Sequence, residues 1–335
     1  MKIPVMVISG FLGSGKTTLL LRLLEETRRR GLQPGILMNE LGKQDVDGLI
    51  LDEHSDTAIE KLLDGCVCCS KKEELADCLK KLLGQKPDIV FIELTGVANP
   101  EEIADALTEP GLLGLVKLNQ IITLLDAEHM LDYNSIFSSD KQLVRTLRRQ
   151  MEVADLLIVN KTDLVTSRVL VKIEKAIRKH NEKAQIVYAK HSQIDVQSLL
   201  SAILPHAHSP LPVRSFRMVQ AAPLIPDKEP RPNKDEALSY SRVQSITLPW
   251  KPAGDISPVR IEQFLHKWEA HILRAKGYVS FSKEQPIQLL QHAGKRTTWA
   301  PSSFTGDPYV VFIGMDLDQE QLAAEWSALL GLKPN

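Results

Sequence analysis

The apolar residues of this chain fall into short unbroken runs that alternate with longer segments of helical periodicity. Six runs have the length of buried strands: 5–8, 34–39, 89–92, 121–125, 156–159 and, with a weaker pattern, 186–189. Helical spacing extends over 17–30 and 71–83, and each segment is followed directly by a glycine, Gly31 or Gly84, as a stop signal. This alternation predicts an α/β fold with a mainly parallel sheet.

A different pattern begins near residue 205. Seven of the 19 prolines lie between Pro205 and Pro232 and are mixed with charged residues, which is the composition of a linker. Beyond it, strand patterns cover 241–248, 278–281, 287–291, 297–299 and 309–313, and helical patterns cover 258–275 and 319–330. We therefore predict a first domain over 1–204, a Pro-rich linker over 205–240 and a smaller α+β domain over 241–335.

Composition narrows the choice of partners. The 335 residues are 43% hydrophobic and 25% charged, and the formal net charge is -1. A nearly neutral chain has no overall field that would attract nucleic acid or anionic lipid. No apolar run reaches the ~18 residues of a membrane helix, and the start of the chain lacks a secretory signal. These features predict no nucleic-acid or membrane partner and a cytoplasmic location.

The first predicted strand leads into GFLGSGKT over 10–17, which fits the pattern G-x-x-x-x-G-K-[ST] of a P-loop NTPase. Its glycines let successive backbone N–H groups face phosphate oxygens, Lys16 adds positive charge at the β- and γ-phosphates, and the Thr17 hydroxyl can ligate Mg²⁺. The position between a strand and a helix favours this interpretation over a glycine turn without a ligand. The predicted phosphate-binding residues are Gly10, Gly13, Ser14, Gly15, Lys16, Thr17 and Thr18.

A second motif, NKTD over 160–163, follows the apolar run 156–159. The carboxylate of Asp163 can accept hydrogen bonds from guanine N1–H and the 2-amino group together, whereas adenine offers neither donor there. A site built around such bonds discriminates strongly between bases. Downstream of a P-loop, we expect Asn160, Lys161 and Asp163 to bind guanine, although the same pattern alone is usually a helix cap.

An acidic residue ends the run 89–92, and ligands bind at the carboxyl ends of strands in open α/β sheets. Glu93 can hold the Mg²⁺ shell through water, which makes it a candidate catalytic residue beside Lys16. Gly96 can offer its N–H to the γ-phosphate. The next residue, Val97, cannot orient the attacking water as the glutamine of many GTPases does, so intrinsic hydrolysis should be slow.

Three of the four cysteines lie together at Cys66, Cys68 and Cys69. In a chain without a signal peptide, this crowding indicates metal or redox chemistry rather than disulfides. A loop can bring three thiolates together, and Glu40, water or a residue of a client could complete a tetrahedral zinc site. The alternatives are a redox pair, or buried cysteines without a function. Cys78 lies among apolar helix positions and is expected in the core.

Together these residues resemble the CobW-like branch of metal-related GTPases, relatives of UreG and HypB. The shared segments are GFLGSGKTT over 10–18, Asn39-Glu40, GCVCC over 65–69, ELTG over 93–96, Asn99-Pro100, NKTD over 160–163 and, more weakly, RAKG over 274–277. The resemblance implies a GTPase domain, a smaller C-terminal domain, a thiolate metal site and delivery of metal, most often zinc, to a client protein. His206 and His208 alone stand where many relatives have a His-rich tract, which argues against metal storage.

The leading hypothesis is a GTP-hydrolysing metallochaperone that uses GTP, Mg²⁺ and Zn²⁺ and serves a metal-requiring client protein. The alternatives are a cobalt-cofactor assembly GTPase, a regulatory GTPase with a structural or redox cysteine cluster, and a metal buffer that GTP only stabilises. Metal affinity that depends on nucleotide would favour the first hypothesis. The sequence leaves open the client, the identity of the metal and the oligomeric state, including a homodimer.

Overall fold

A computed structural model describes residues 2–39, 59–62, 72–94, 96, 98–135, 141–205, 242–282, 285–293 and 296–332. Its first sheet has seven parallel strands in the order β3-β2-β4-β1-β5-β6-β7. The strands are β1 (Ile3–Gly10), β2 (Pro34–Asn39), β3 (Ile59–Leu62), β4 (Ile89–Glu93), β5 (Val116–Asp126), β6 (Leu156–Asn160) and β7 (Gln185–Tyr188). This confirms the predicted α/β fold with a parallel sheet.

Helices connect these strands and cover the sheet with apolar faces. They are α1 (Lys16–Arg29), α2 (Lys72–Gly84), α3 (Pro100–Ala106), α4 (Met130–Tyr133), α5 (Lys141–Val153), α6 (Ser167–Arg178) and α7 (Val196–Leu199). The central strands β1 and β4 are buried along nearly their whole length, as expected for parallel strands covered on both faces. We call residues 2–205 the N-terminal unit.

A second, antiparallel sheet has the strand order β11-β10-β9-β12-β8. Its elements are β8 (Val243–Pro249), α8 (Pro258–Lys267), β9 (Ile272–Val279), β10 (Gln288–Ala293), β11 (Arg296–Pro301), β12 (Tyr309–Met315) and α9 (Gln319–Leu329). We call residues 242–332 the C-terminal unit. Its α+β architecture agrees with the sequence analysis, while the exact domain boundaries at 204 and 241 stay predictions.

The helix predicted over 258–275 is wrong in its second half. Helix α8 ends at Lys267, and β9 begins at Ile272. Apolar Trp268 and Ile272 continue the helical spacing of Phe264 and Leu265, so periodicity alone extended the helix. Hydrogen bonding to β10 on one side and β12 on the other makes this segment a central strand instead.

The two faces of the second sheet serve different cores. On β12, Val310 and Phe312 pack with helices α8 and α9 inside the C-terminal unit. The alternate residues Val311 and Ile313 belong to one apolar cluster with Ile103 of α3 and other buried residues of the N-terminal unit. The second sheet is therefore a layer between its own helices and helix α3.

Two cations of β9 pair with carboxylates within helix α3 and just after it. The guanidinium of Arg274 lies 3.2 Å from a carboxylate oxygen of Asp105 and 3.5 Å from one of Glu102. Lys276 pairs with Glu109 just beyond α3. Arg274 and Lys276 are the charged residues of the RAKG segment noted in the sequence, so that segment joins the two units electrostatically.

Replacing Arg274 by methionine should lower the free energy of unfolding by about 1–3 kcal/mol, because the buried Asp105 would lose a charged partner. Urea unfolding can be followed by the fluorescence of the four tryptophans, all of which belong to the C-terminal unit. Arg296→Met is the matched control. Arg296 and Arg274 are both paired with Ala293 of β10, on opposite sides of that strand, but Arg296 is exposed. An equal effect of both substitutions would contradict a role for the Arg274 ion pair.

Candidate functional site

The predicted phosphate loop lies at the carboxyl edge of the first sheet, between the end of β1 and the start of α1. Its glycines Gly10, Gly13 and Gly15 have φ values of 133°, 77° and 105°, which L side chains rarely adopt. At Gly15 a Cβ atom would also lie 2.4 Å from Nδ2 of Asn160. Glycine is therefore required at position 15 by both conformation and space.

The polar residues of the loop differ in burial. Lys16 is 7% exposed, and its ammonium donates to the carbonyl of Phe11 at 3.2 Å, within the same loop. Ser14 is buried, and Thr18 is exposed on the first turn of α1. The Lys16 ammonium is thus held against the backbone of the loop whose glycines are predicted to bind phosphate.

The two residues predicted to hold Mg²⁺, Thr17 and Glu93, contact each other beside this loop. The Thr17 hydroxyl donates to Oε1 of Glu93 at 3.0 Å, although the two residues are far apart in sequence. Glu93 is the last residue of β4 and is 6% exposed. Hydroxyl and carboxylate oxygens are the ligands that Mg²⁺ prefers, so this pair fits the predicted magnesium site.

Gly96 lies directly against the phosphate loop. A Cβ atom at Gly96 would be 2.8 Å from the backbone nitrogen of Leu12 and 3.2 Å from Cα of Phe11. This close approach explains the glycine and brings its backbone next to the phosphate loop. The neighbouring Val97, on which the expectation of slow hydrolysis rests, lies outside the described residues.

The NKTD motif is attached to the rest of the site through its first three residues. Asn160 donates to the carbonyl of Ser14 at 2.8 Å and accepts from the backbone N–H of Ser192 at 2.8 Å.

Lys161 has a left-handed φ of 61°, and its ammonium lies 2.6 Å from Oδ2 of Asp126. Thr162 donates to the carbonyl of Ala189, whereas Asp163 is exposed. The motif is thus fixed with the Asp163 carboxylate open to a ligand.

Three contact residues of this site were not identified from the sequence. Asp126 ends β5, directly after the predicted strand 121–125, and that strand-end position was its available signal. Ser192 has a φ of 53° and a hydroxyl that donates to the carbonyl of Gly15 at 3.0 Å, with no recognisable sequence signal. Gln150 lies on α5, a helix that the sequence analysis did not predict.

The predicted metal ligands Cys66, Cys68, Cys69 and Glu40 lie outside the described residues. Strands β2 and β3 pair in parallel register and end side by side at Asn39 and Leu62, at the edge that carries the phosphate loop. Within the described part of the chain, no group of three or more His, Cys, Asp or Glu residues could hold a metal ion.

The fourth cysteine is in the core as predicted. Cys78 on α2 is 9% exposed and packs in the apolar cluster that includes Leu75 and Leu79. Among the residues that the structure describes, we found no helix long and apolar enough to span a bilayer.

Comparison with known families supplies two matches. Residues 4–188 match the model of the CobW/HypB/UreG nucleotide-binding domain, and residues 245–330 match the cobalamin synthesis protein CobW C-terminal domain. The two matches correspond to the N-terminal and C-terminal units and together cover most of the chain.

Three curated relatives illustrate the similarity. Zinc-regulated GTPase metalloprotein activator 1 of Schizosaccharomyces pombe is 33% identical over 201 residues, covering 58% of this chain and 47% of that protein. Zinc chaperone YeiR of Escherichia coli is 31% identical over 190 residues, covering 56% of each chain. Zinc chaperone YjiA of Escherichia coli is 29% identical and covers 98% of both chains. The chain thus spans about half the length of the first two relatives.

Proposed function

Because the chain belongs to the CobW/HypB/UreG family of nucleotide-binding proteins, we propose that it is a cytoplasmic, GTP-hydrolysing metallochaperone for zinc. One observation carries this proposal: the phosphate loop, the Thr17–Glu93 pair, the NKTD motif and the paired ends of β2 and β3 share one edge of a parallel sheet. In the sequence, Glu40 directly follows β2 and the cysteine segment follows β3. The names of the curated relatives, zinc chaperones and a zinc-regulated GTPase, support the choice of metal.

The nucleotide is proposed to bind with its phosphates in the loop of Gly10, Gly13 and Gly15 and its base at Asp163. The Lys16 ammonium now donates to the Phe11 carbonyl of the loop. On nucleotide binding it would donate to the β- and γ-phosphates instead. Mg²⁺, held by Thr17 and through water by Glu93, would supply charge neutralisation between these phosphates when bound. The backbone N–H of Gly96 would contact the γ-phosphate.

Base selectivity gives a direct test. Asp163→Asn should weaken GTP binding and favour xanthosine triphosphate, because the asparagine amide can donate to the 2-oxo group that replaces the guanine 2-amino group. The substitution removes a charge-assisted hydrogen bond to guanine and adds a hydrogen bond to xanthine. The ratio of the affinities for GTP and xanthosine triphosphate should therefore change by about 100-fold. Competition of GTP and xanthosine triphosphate against a fluorescent GDP analogue measures this ratio.

The control for this substitution is Asp195→Asn. Asp195 is an exposed aspartate that caps the short helix α7. This substitution should leave the base preference unchanged. Equal hydrolysis of ATP and GTP by the wild-type protein would show that the guanine assignment is wrong.

The metal site is proposed at Cys66, Cys68 and Cys69, with Glu40 as the fourth ligand or with a position left open for water or a client residue. Glu40 follows Asn39, and Asn39 is paired with Leu62, the last residue of β3 before the cysteine segment; this pairing supports the choice of Glu40. An open fourth position suits transfer of metal better than a closed structural site. The client is proposed to be a metal-requiring protein, and a homodimer remains one option for the assembly.

The experiment that decides between this function and a regulatory GTPase is metal analysis of the protein purified without added metal, with and without GTP. A metallochaperone should contain about one zinc per chain and change its zinc affinity with nucleotide. A zinc content that is independent of nucleotide would favour a structural cysteine cluster or a buffer.

A further inference from the structure

One side chain of helix α5, the amide of Gln150, packs against the segment that leads from β4 to α3. Gln150 is fully buried, and its Nε2 donates to the carbonyl of Gly96 at 3.2 Å and to the carbonyl of Ala98 at 3.0 Å. These two acceptors lie on either side of residue 97. A single side chain therefore fixes the backbone on both sides of the position next to the predicted γ-phosphate contact.

The two ends of this amide differ in their hydrogen bonding. Oε1 of Gln150 is buried and has no hydrogen-bond partner among the described groups. A buried polar atom without a partner is costly, and the amide bears this cost at Oε1 while its Nε2 satisfies the Gly96 and Ala98 carbonyls. Two carbonyl acceptors on the Nε2 side also fix the orientation of the amide, since the oxygen could not bond to either of them.

The adjacent residue of α5 contacts the same region. Arg149 lies 2.7 Å from a carboxylate oxygen of Glu101, which belongs to the first turn of α3. Gln150 and Arg149 together connect α5 to the segment between Gly96 and Glu101. Gly96, in turn, lies against Leu12 of the phosphate loop.

We propose that Gln150 is a positioning residue for the γ-phosphate. Glycine has more backbone freedom than any other residue, and the hydrogen bond to its carbonyl restricts the conformation of Gly96. Gln150 thereby keeps the Gly96 N–H beside the phosphate loop, where it can donate to a γ-phosphate oxygen. This inference rests on the proposed function as a GTP-binding protein, and it assigns a role that acts on GTP and leaves GDP unaffected.

Gln150→Leu tests the assignment because it removes both donors and keeps a side chain of similar size. The affinity for GTPγS should fall about 10-fold, while the affinity for GDP stays within about twofold, because GDP lacks the phosphate that Gly96 would contact. The turnover number for GTP should fall with it. Isothermal titration of both nucleotides, with the thermal midpoint measured alongside, gives the ratio and reports any loss of stability.

Gln142→Leu is the matched control, since Gln142 is exposed on the same helix. It should change neither affinity. Equal losses for GTPγS and GDP in Gln150→Leu, or no loss at all, would overturn the proposal while leaving the GTPase function intact. Absence of guanine-nucleotide binding in the wild type would instead overturn the proposed function.

A second variant covers the case in which leucine does not fit. Gln150→Met offers a more flexible side chain and the same loss of donors. A selective loss of GTPγS affinity in either folded variant supports the positioning role. Failure of both variants to fold would mean that the amide is needed for the fold itself, and the proposal would then be wrong.

Discussion

Replacing Lys16 by alanine is expected to reduce GTP hydrolysis by at least about 100-fold, the loss found when a charge-stabilising donor is removed from an active site. The Lys16 ammonium lies 3.2 Å from the Phe11 carbonyl of the phosphate loop. Residues 10–17 contain no other lysine or arginine, so the loop cannot replace its charge. The wild-type rate should itself be below ~1 s⁻¹, the low end of typical enzymes, because Val97 cannot orient the attacking water.

Single-turnover phosphate release, measured for wild type, Lys16→Ala and Lys172→Ala, checks both statements. Lys172 is exposed on α6 and serves as the control for removing a lysine. Rapid hydrolysis by the wild type with Mg²⁺ but without zinc or a partner protein would contradict the interpretation of Val97. Retention of activity in Lys16→Ala would contradict the assignment of the phosphate loop.

The second large effect is expected at the cysteines. Cys68→Ala should lose the one tightly bound Zn²⁺ per chain, because the substitution removes one of the three thiolates of the proposed tetrahedral site. Zinc should also raise the affinity for GTP by about 5–150-fold in the wild type, since a coupling of GTP to zinc requires the reverse coupling of equal size. Binding of zinc releases up to three thiol protons, so zinc affinity should weaken as the pH falls.

Titration of GTPγS into zinc-loaded wild type, zinc-free wild type and Cys68→Ala measures this coupling. Cys78→Ala is the matched control, because Cys78 is a cysteine of the buried apolar core and should not affect zinc. Identical GTPγS affinities in the two wild-type samples and Cys68→Ala would leave the cysteine cluster uncoupled. The regulatory GTPase would then be the better interpretation.

The sequence predicted the sheet of the N-terminal unit well because buried parallel strands are continuous apolar runs. Strand β3 was missed, since its four residues include Glu60 and Lys61 and form no such run. Helix α5 was also missed, although Val144, Leu147 and Met151 carry helical spacing. The strand β9 was assigned in part to a helix, because pairing with two neighbouring strands overrode the local periodicity.

The nucleotide motifs could be read from the sequence because each is a continuous segment with a required chemistry. Their supporting contacts could not, because those contacts join residues that are distant in the chain. Gln150 meets Gly96 from a different helix, and Asp126 meets Lys161 across two strand ends. The same limit applies to Ser192, whose hydroxyl reaches the carbonyl of Gly15.

The double-faced packing of the second sheet has a consequence for how the molecule unfolds. Val243, Val311 and Ile313 complete an apolar cluster whose remaining buried members, such as Ile103 and Leu107 of the α3 region, belong to the N-terminal unit. Separation of the units would transfer this shared apolar surface to water, at a cost that grows with its area. The two sheets should therefore lose their structure in one cooperative transition. A fragment that ended before residue 242 should therefore have a lower free energy of unfolding than the same residues in the whole chain.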